Sequence, residues 1–201
     1  MPNHVTNYLQ VLGDSDRVNE FFKAMQGKDS RGKDSSFTFN AIIPMPNETL
    51  RDNLSIREQL EFPGDFNWYD WSVKHWGTKW DAYSVAKREG DRIQFDTAWS
   101  VPLPVLIAAS KRFPDLVFVN EYIEETLESA GELKLQNGQT ILDNHCSYAD
   151  WEDLNPSCLI HVLNIKYELT SYIDYLEELM EDGDPEAKFY LGHVFIGRQV
   201  T

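Results

Sequence analysis

Five of the six tryptophans, Trp68, Trp71, Trp76, Trp80 and Trp99, fall within residues 68–99, and the surrounding chain is locally basic. Residues 74–92 hold Lys74, Lys79, Lys87, Arg88 and Arg92 against Asp81, Glu89 and Asp91, a balance of +2. Indole planes beside cations can stack bases and hold phosphates. The residues that would do so are Trp76, Lys79, Trp80, Asp81, Asp96 and Trp99. The same residues support a plainer reading, in which the indoles anchor an irregular insertion and their N–H groups bond backbone carbonyls. The phrase Trp76-Gly77-Thr78-Lys79-Trp80-Asp81 suits a tight turn, and Lys79 has Asp81 and Asp96 as possible ion-pair partners.

A second chemistry is purely electrostatic. The chain carries 18 Lys and Arg against 33 Asp and Glu, hence −15. Residues 141–201 hold 12 of the acids and only Lys166, Lys188 and Arg198, which gives −9 over that stretch. Such acidity excludes a surface that coats nucleic-acid phosphates broadly, while leaving room for a local site. Glu177, Glu178, Glu181, Asp182, Asp184 and Glu186 crowd one short segment. A row of carboxylates can imitate phosphates to a basic protein, or simply solubilise a helix.

Catalysis finds little in the sequence. There is no Gly-x-Ser-x-Gly elbow, no phosphate loop ending in Gly-Lys, and no Gly-x-Gly-x-x-Gly turn. His4 on a first strand could meet Asp96 across a sheet as an acid–base pair, or serve as a structural histidine. Zinc accepts sulfur and imidazole, which draws attention to His145-Cys146 and Cys158-x-x-His161. Adjacent residues rarely both coordinate, so these read as a core cysteine and a helix-face histidine. The sequence therefore calls for no catalytic residue, no metal and no cofactor.

The elements that would position these residues follow from periodicity and punctuation. His4–Leu12 alternates Val5, Asn7, Leu9 and Val11 with Thr6, Tyr8, Gln10 and Leu12, a strand pattern. Gly13-Asp14-Ser15 then caps a helix over Asp16–Gln26 with a stripe of Val18, Phe21, Phe22 and Met25. Lys28–Ser36 reads as a polar loop, and Phe37–Ile43 as a strand stopped by Pro44. A short helix over Leu50–Leu60 and another over Trp68–Trp76, closed by Gly77, would lie in an insertion, 47–77. Trp80–Lys87 and Arg92–Trp99 form a hairpin pattern around Arg88-Glu89-Gly90-Asp91. Pro102 and Pro104 open a helix to Phe113, Leu116–Ile123 reads as a strand, and Gly131–Ile141 as a hairpin around Asn137-Gly138.

Strand, helix, strand, insertion, strand pair, helix, strand is the order of a split βαβ unit repeated twice. The expected fold is thus α+β, a ferredoxin-like antiparallel sheet with helices on one face, over residues 1–142. Residues 143–201 would form an acidic helical appendage, a hairpin with one helix over Cys158–Met180 and another after Asp184-Pro185. The N-terminus lacks a basic patch and an apolar run, and the apolar stretch at Leu103–Ala109 is far below bilayer-spanning length. With two cysteines only, the expectation is a soluble cytoplasmic protein without membrane contact.

Several phrases occur in order along residues 1–125: Met1-Pro2-Asn3-His4-Val5-Thr6-Asn7, Ile42-Ile43-Pro44-Met45-Pro46, Trp76-Gly77-Thr78-Lys79-Trp80-Asp81-Ala82-Tyr83, Phe95-Asp96-Thr97-Ala98-Trp99, Pro102-x-Pro104 and Arg112-Phe113-Pro114. Together the chain resembles the YubB-type ferredoxin-like family of bacterial plasmids and phages. The resemblance implies a ferredoxin-like domain in an accessory protein of a mobile element and assigns no catalytic residue. Gly183-Asp184-Pro185-Glu186-Ala187-Lys188-Phe189-Tyr190-Leu191-Gly192 is similar to one unit of a Sel1-like repeat, a family that needs about three copies to bury a core. The functional expectation is a non-enzymatic binding protein that meets a basic host protein through its acidic surface. The alternative is a small domain that binds a nucleotide or single-stranded nucleic acid through the tryptophan-rich insertion.

Overall fold

The computed structural model describes residues 3–51, 54–125 and 129–147. In chain order the elements are β1 (His4–Leu12), α1 (Ser15–Ala24), β2 (Gly27–Lys28), β3 (Asp34–Ser35), α2 (Ile56–Glu61), α3 (Trp68–Trp76), β4 (Arg92–Ala98), α4 (Leu103–Arg112), β5 (Val117–Glu124), β6 (Ser129–Gln136) and β7 (Gln139–Ser147). Five strands make one sheet in the order β4-β1-β5-β6-β7. Because β4 and β5 are each antiparallel to β1, they run parallel to one another, and α4 connects them. That is a split βαβ unit with β1 threaded between its strands.

The alternation read along β1 sets the two faces of the sheet. Val5, Asn7, Leu9 and Val11 are buried, and the register puts Phe95 and Tyr122 opposite Asn7, and Ile93 and Asn120 opposite Leu9. Residues opposite one another share a face, so these side chains line one continuous inner surface. α1 covers part of it: Asp14 accepts from the Asp16 and Arg17 N–H groups, and Phe21 meets Phe113 and Phe118 edge-on. Phe37 stacks on Phe95 at 4.9 Å, and Phe39 packs edge-on to both Phe95 and Trp76.

Phe37–Ile43 is not a strand. Phe39–Ala41 forms a 3₁₀ turn capped by the Thr38 hydroxyl. The Asp81 carboxylate accepts the Phe39 N–H at 2.7 Å and the Thr38 hydroxyl at 2.6 Å, and the Asn40, Ile42 and Ile43 N–H groups bond within the turn, so these backbone donors are not free for a ladder. Among the described residues the βαβ unit therefore occurs once rather than twice. The polar loop expected at Lys28–Ser36 instead holds the ladder of β2 and β3. Trp80–Lys87 is not a full partner strand to β4 either: Tyr83 pairs with Asp96, and the Ala86 N–H reaches the Gln94 carbonyl, but Ser84 between them has φ +49°.

Within the insertion, α2 begins only at Ile56, where Ser55 and Glu58 form a capping box. No α2 residue is buried, and Ile56 and Leu60 are exposed four residues apart. α3 follows the expected bounds, Trp68–Trp76. Asn137 and Gly138, both at positive φ, make the tight turn between β6 and β7.

Contacts divide the chain into two units, residues 1–125 with 132–143 and residues 126–131 with 144–201. The helices expected over Cys158–Met180 and after Pro185, and the repeat-like phrase at 183–192, lie outside the described residues. No helix among the described residues is long and apolar enough to cross a membrane.

Candidate functional site: an aromatic cluster around Lys79

The cluster is built at the joint between α3 and β4. α3 ends at Trp76, and Gly77 takes φ +76° to turn the chain away. A Cβ there would approach Pro104 Cδ at 2.7 Å, so both the backbone angle and the close contact require glycine. The Thr78 hydroxyl then donates to the Ala98 carbonyl at 2.7 Å and accepts the Ala98 N–H at 3.1 Å. This staple fixes Lys79 and Trp80 beside Trp99, the residue that follows β4.

The Lys79 ammonium lies 5.0 Å from the ring centres of Trp80 and Trp99 and 5.8 Å from that of Tyr69. All three are within the roughly 6 Å over which a ring quadrupole attracts a cation. Trp80 and Trp99 remain 37% and 43% exposed. Tyr69, in the first turn of α3, meets Trp99 edge-on at 6.0 Å. Among the described residues no carboxylate reaches Lys79 within 4 Å, so neither ion pair anticipated for it, with Asp81 or with Asp96, forms. Trp99 also adopts φ +76°, a conformation that is strained for a bulky residue.

The other residues singled out from the sequence sit elsewhere. Trp76 is fully buried, and its indole N–H donates to the Ile43 carbonyl at 2.9 Å. Asp81 is buried and accepts from Thr38, Phe39 and Ala82. Burial pushes its carboxyl above the usual carboxylate range, against the opposing pull of those donors. Both residues are buried and held by hydrogen bonds within the fold. Asp96 accepts the Thr6 hydroxyl at 3.0 Å on the opposite face of the sheet from Phe95.

His4 meets Tyr83, not Asp96. Its Nδ1 lies 2.6 Å from the Tyr83 hydroxyl, which itself donates to the Thr97 carbonyl at 3.0 Å. With the phenolic hydrogen so used, we assign the imidazole hydrogen to Nδ1, donating to Tyr83. Burial, then the charges of Asp96 and Glu125, raise the Tyr83 phenol to about 12. This is a positional network: the phenol stays protonated at neutral pH, and Trp80 leans edge-on against it at 5.8 Å.

Tyr69 was not singled out in the sequence. Its signal is its place on α3, where it falls outside the buried set Trp71, Ser72 and Trp76. Of the metal candidates, the Cys158 and His161 pair lies outside the described residues. Among the described residues no group of three His, Cys, Asp or Glu is arranged to hold a metal ion.

Residues 75–155 match the family model of the ferredoxin-like domain in Api92-like protein. No curated protein matches the chain. Among solved structures, the protein api92 from Yersinia pseudotuberculosis is similar, with 10% identity over 74% of this chain and 98% of that one, at a TM-score of 0.44. The domain is thus α+β and ferredoxin-like, as the alternation of β1 and the β4-α4-β5 unit imply.

Proposed function

We propose that this chain is a non-enzymatic binding module that takes single-stranded nucleic acid on the aromatic surface around Lys79. The observation that carries the reading is one ammonium group set among Tyr69, Trp80 and Trp99, with two indoles exposed and, among the described residues, no carboxylate within 4 Å of it. Bases stack on such rings with little regard to sequence, and one cation suits one backbone phosphate. The strained backbone of Trp99 supports it further, because strain kept beneath an exposed ring points to a use for that ring. A charge of −15 then repels the rest of the strand, so binding is local, weak and salt-sensitive.

Titrating the full chain with a short oligothymidylate at low salt should quench indole emission. Lys79→Ala should weaken binding about tenfold and reduce the salt dependence by roughly one phosphate contact, a slope change of about 0.7. Emission unchanged by millimolar oligonucleotide at low salt overturns the reading.

A second reading rests on charge. Residues 141–201 carry 12 acids against three bases, which suits a basic protein partner. The resemblance to YubB-type proteins supports the proposal that such a module serves a plasmid or phage and meets host nucleic-acid-binding proteins. On that reading the oligonucleotide leaves the indoles silent, so the same titration separates the two.

A further inference from the structure

The face of the sheet opposite the Leu9 and Phe95 side carries a second, unrelated feature. The register sets Arg92, Gln10 and Val119 in one row across β4, β1 and β5, and Gln94, Tyr8 and Glu121 in the next. Over these rows opens a groove of about 320 Å³, whose rim is completed by Lys87 and Glu89 from the segment before β4. That volume lies at the lower end of small-ligand sites.

Its charges are graded across the strands. Lys87 and Arg92 stand on the β4 side, and among the described residues neither has a carboxylate within 4 Å. Arg92 Nη2 donates only a long 3.3 Å bond to Gln10 Oε1, and Asp91 is engaged instead by the Gln10 amide at 2.8 Å. Glu121 lines the β5 side, next to Tyr8, and Asp96 lies on β4, one row beyond Gln94. Between the two sides β1 presents one aromatic ring, Tyr8, and one amide, Gln10, while a second amide, Gln94, follows Arg92 on the same face of β4. Burial and the Asp96 charge raise the Tyr8 phenol, so the ring is neutral.

We propose that this groove is a nucleoside-monophosphate site, with the base against Tyr8, its polar edge at the Gln94 and Gln10 amides, and the phosphate between Lys87 and Arg92. The orientation follows from charge: Glu121 on the β5 side leaves the phosphate the β4 side, where Lys87 and Arg92 stand, while Glu89, paired across from Arg92 on the rim, keeps affinity modest. The site is distinct from the Lys79 cluster. Arg92 and Ala98 are six residues apart on β4, roughly 20 Å at strand rise.

The test is an amide titration of the isotope-labelled full chain with AMP, adenosine and inorganic phosphate, read at each backbone amide and indole. AMP should give saturating shifts at Tyr8, Gln10, Lys87 and Gln94, at about tenfold lower concentration than adenosine. Lys87→Ala should remove that tenfold advantage and leave adenosine binding intact. Tyr8→Ala should weaken both ligands, with the dispersion of the spectrum reporting that the variant is folded. No saturating shift at these amides with millimolar AMP, or a Lys87→Ala variant that binds AMP as tightly as the parent, overturns the site. Shifts confined to the Trp80 and Trp99 indoles also overturn it while favouring the aromatic-cluster reading; groove shifts with silent indoles support it alone.

Discussion

Trp76 and Trp80 are four residues apart in the chain, yet one is fully buried and the other 37% exposed. On the first side of Gly77, Trp71 and Trp76 pack edge-on to each other at 5.2 Å, and Trp76 extends into the phenylalanine core through Phe39. Beyond it, Trp80 and Trp99 face outward around an ammonium group. One tryptophan-rich stretch thus performs two physical tasks, and a single left-handed glycine separates them. Aromatic density alone does not say whether indoles plug a core or offer a surface; the backbone turn between them decides it.

The sharpest way to break this comparison is at its buried half. Trp76→Ala removes a fully enclosed indole and leaves the Ile43 carbonyl without its donor. The expected loss is about 4 kcal/mol in urea unfolding, in the range for large aromatic-to-alanine core changes. A loss below about 1 kcal/mol would show that Trp76 is no anchor and that the two halves do not differ.

Asp81 tests the same boundary from the polar side. Asp81→Ala orphans the Phe39 N–H, the Ala82 N–H and the Thr38 hydroxyl, and should cost about 3 kcal/mol. Asp81→Asn keeps an acceptor for both N–H groups and should lose less. The pH dependence has a definite sign. A carboxyl raised in the folded state binds its proton more tightly there than in the unfolded chain. Its contribution to stability is therefore complete below the unfolded carboxyl range and is lost as pH rises through the folded value. Asp81→Asn should remove that falling segment from a stability–pH curve of the parent; an identical slope in both proteins would refute the assignment.

These residues also mark where sequence reading stops. β1 was legible to the residue because alternation is a local property, and α3 was legible because Gly77 terminates it. Phe37–Ile43 alternates just as well, yet its Phe39 N–H and Thr38 hydroxyl bond a carboxylate some forty positions away, which no local pattern reports. Trp80–Lys87 had strand composition, and a single positive φ at Ser84 interrupts it. For the proposed site, composition and local charge single out Lys79, Trp80 and Trp99, which the structure brings together. They also single out Trp76 and Asp81, which the structure buries, since burial depends on which way the chain leaves Gly77. The groove residues were visible as the polar side of the β1 alternation, but a row across three strands requires the register.

The smallest expected effect probes the exposed half. At φ +76° an L residue at Trp99 carries a backbone cost of roughly 1–2 kcal/mol that glycine escapes. Glycine gives back about 0.5–1 kcal/mol through the greater freedom of the unfolded chain. Trp99→Gly and Trp99→Ala both delete the ring beside Tyr69 and Lys79, but only alanine retains the strain. The glycine variant should therefore be the more stable of the two, by about 0.5–1 kcal/mol in chemical unfolding, a reversal of the usual order of these residues. Were alanine the more stable, the strain at Trp99 would be absent, and with it one of the supports for reading this half of the stretch as a contact surface.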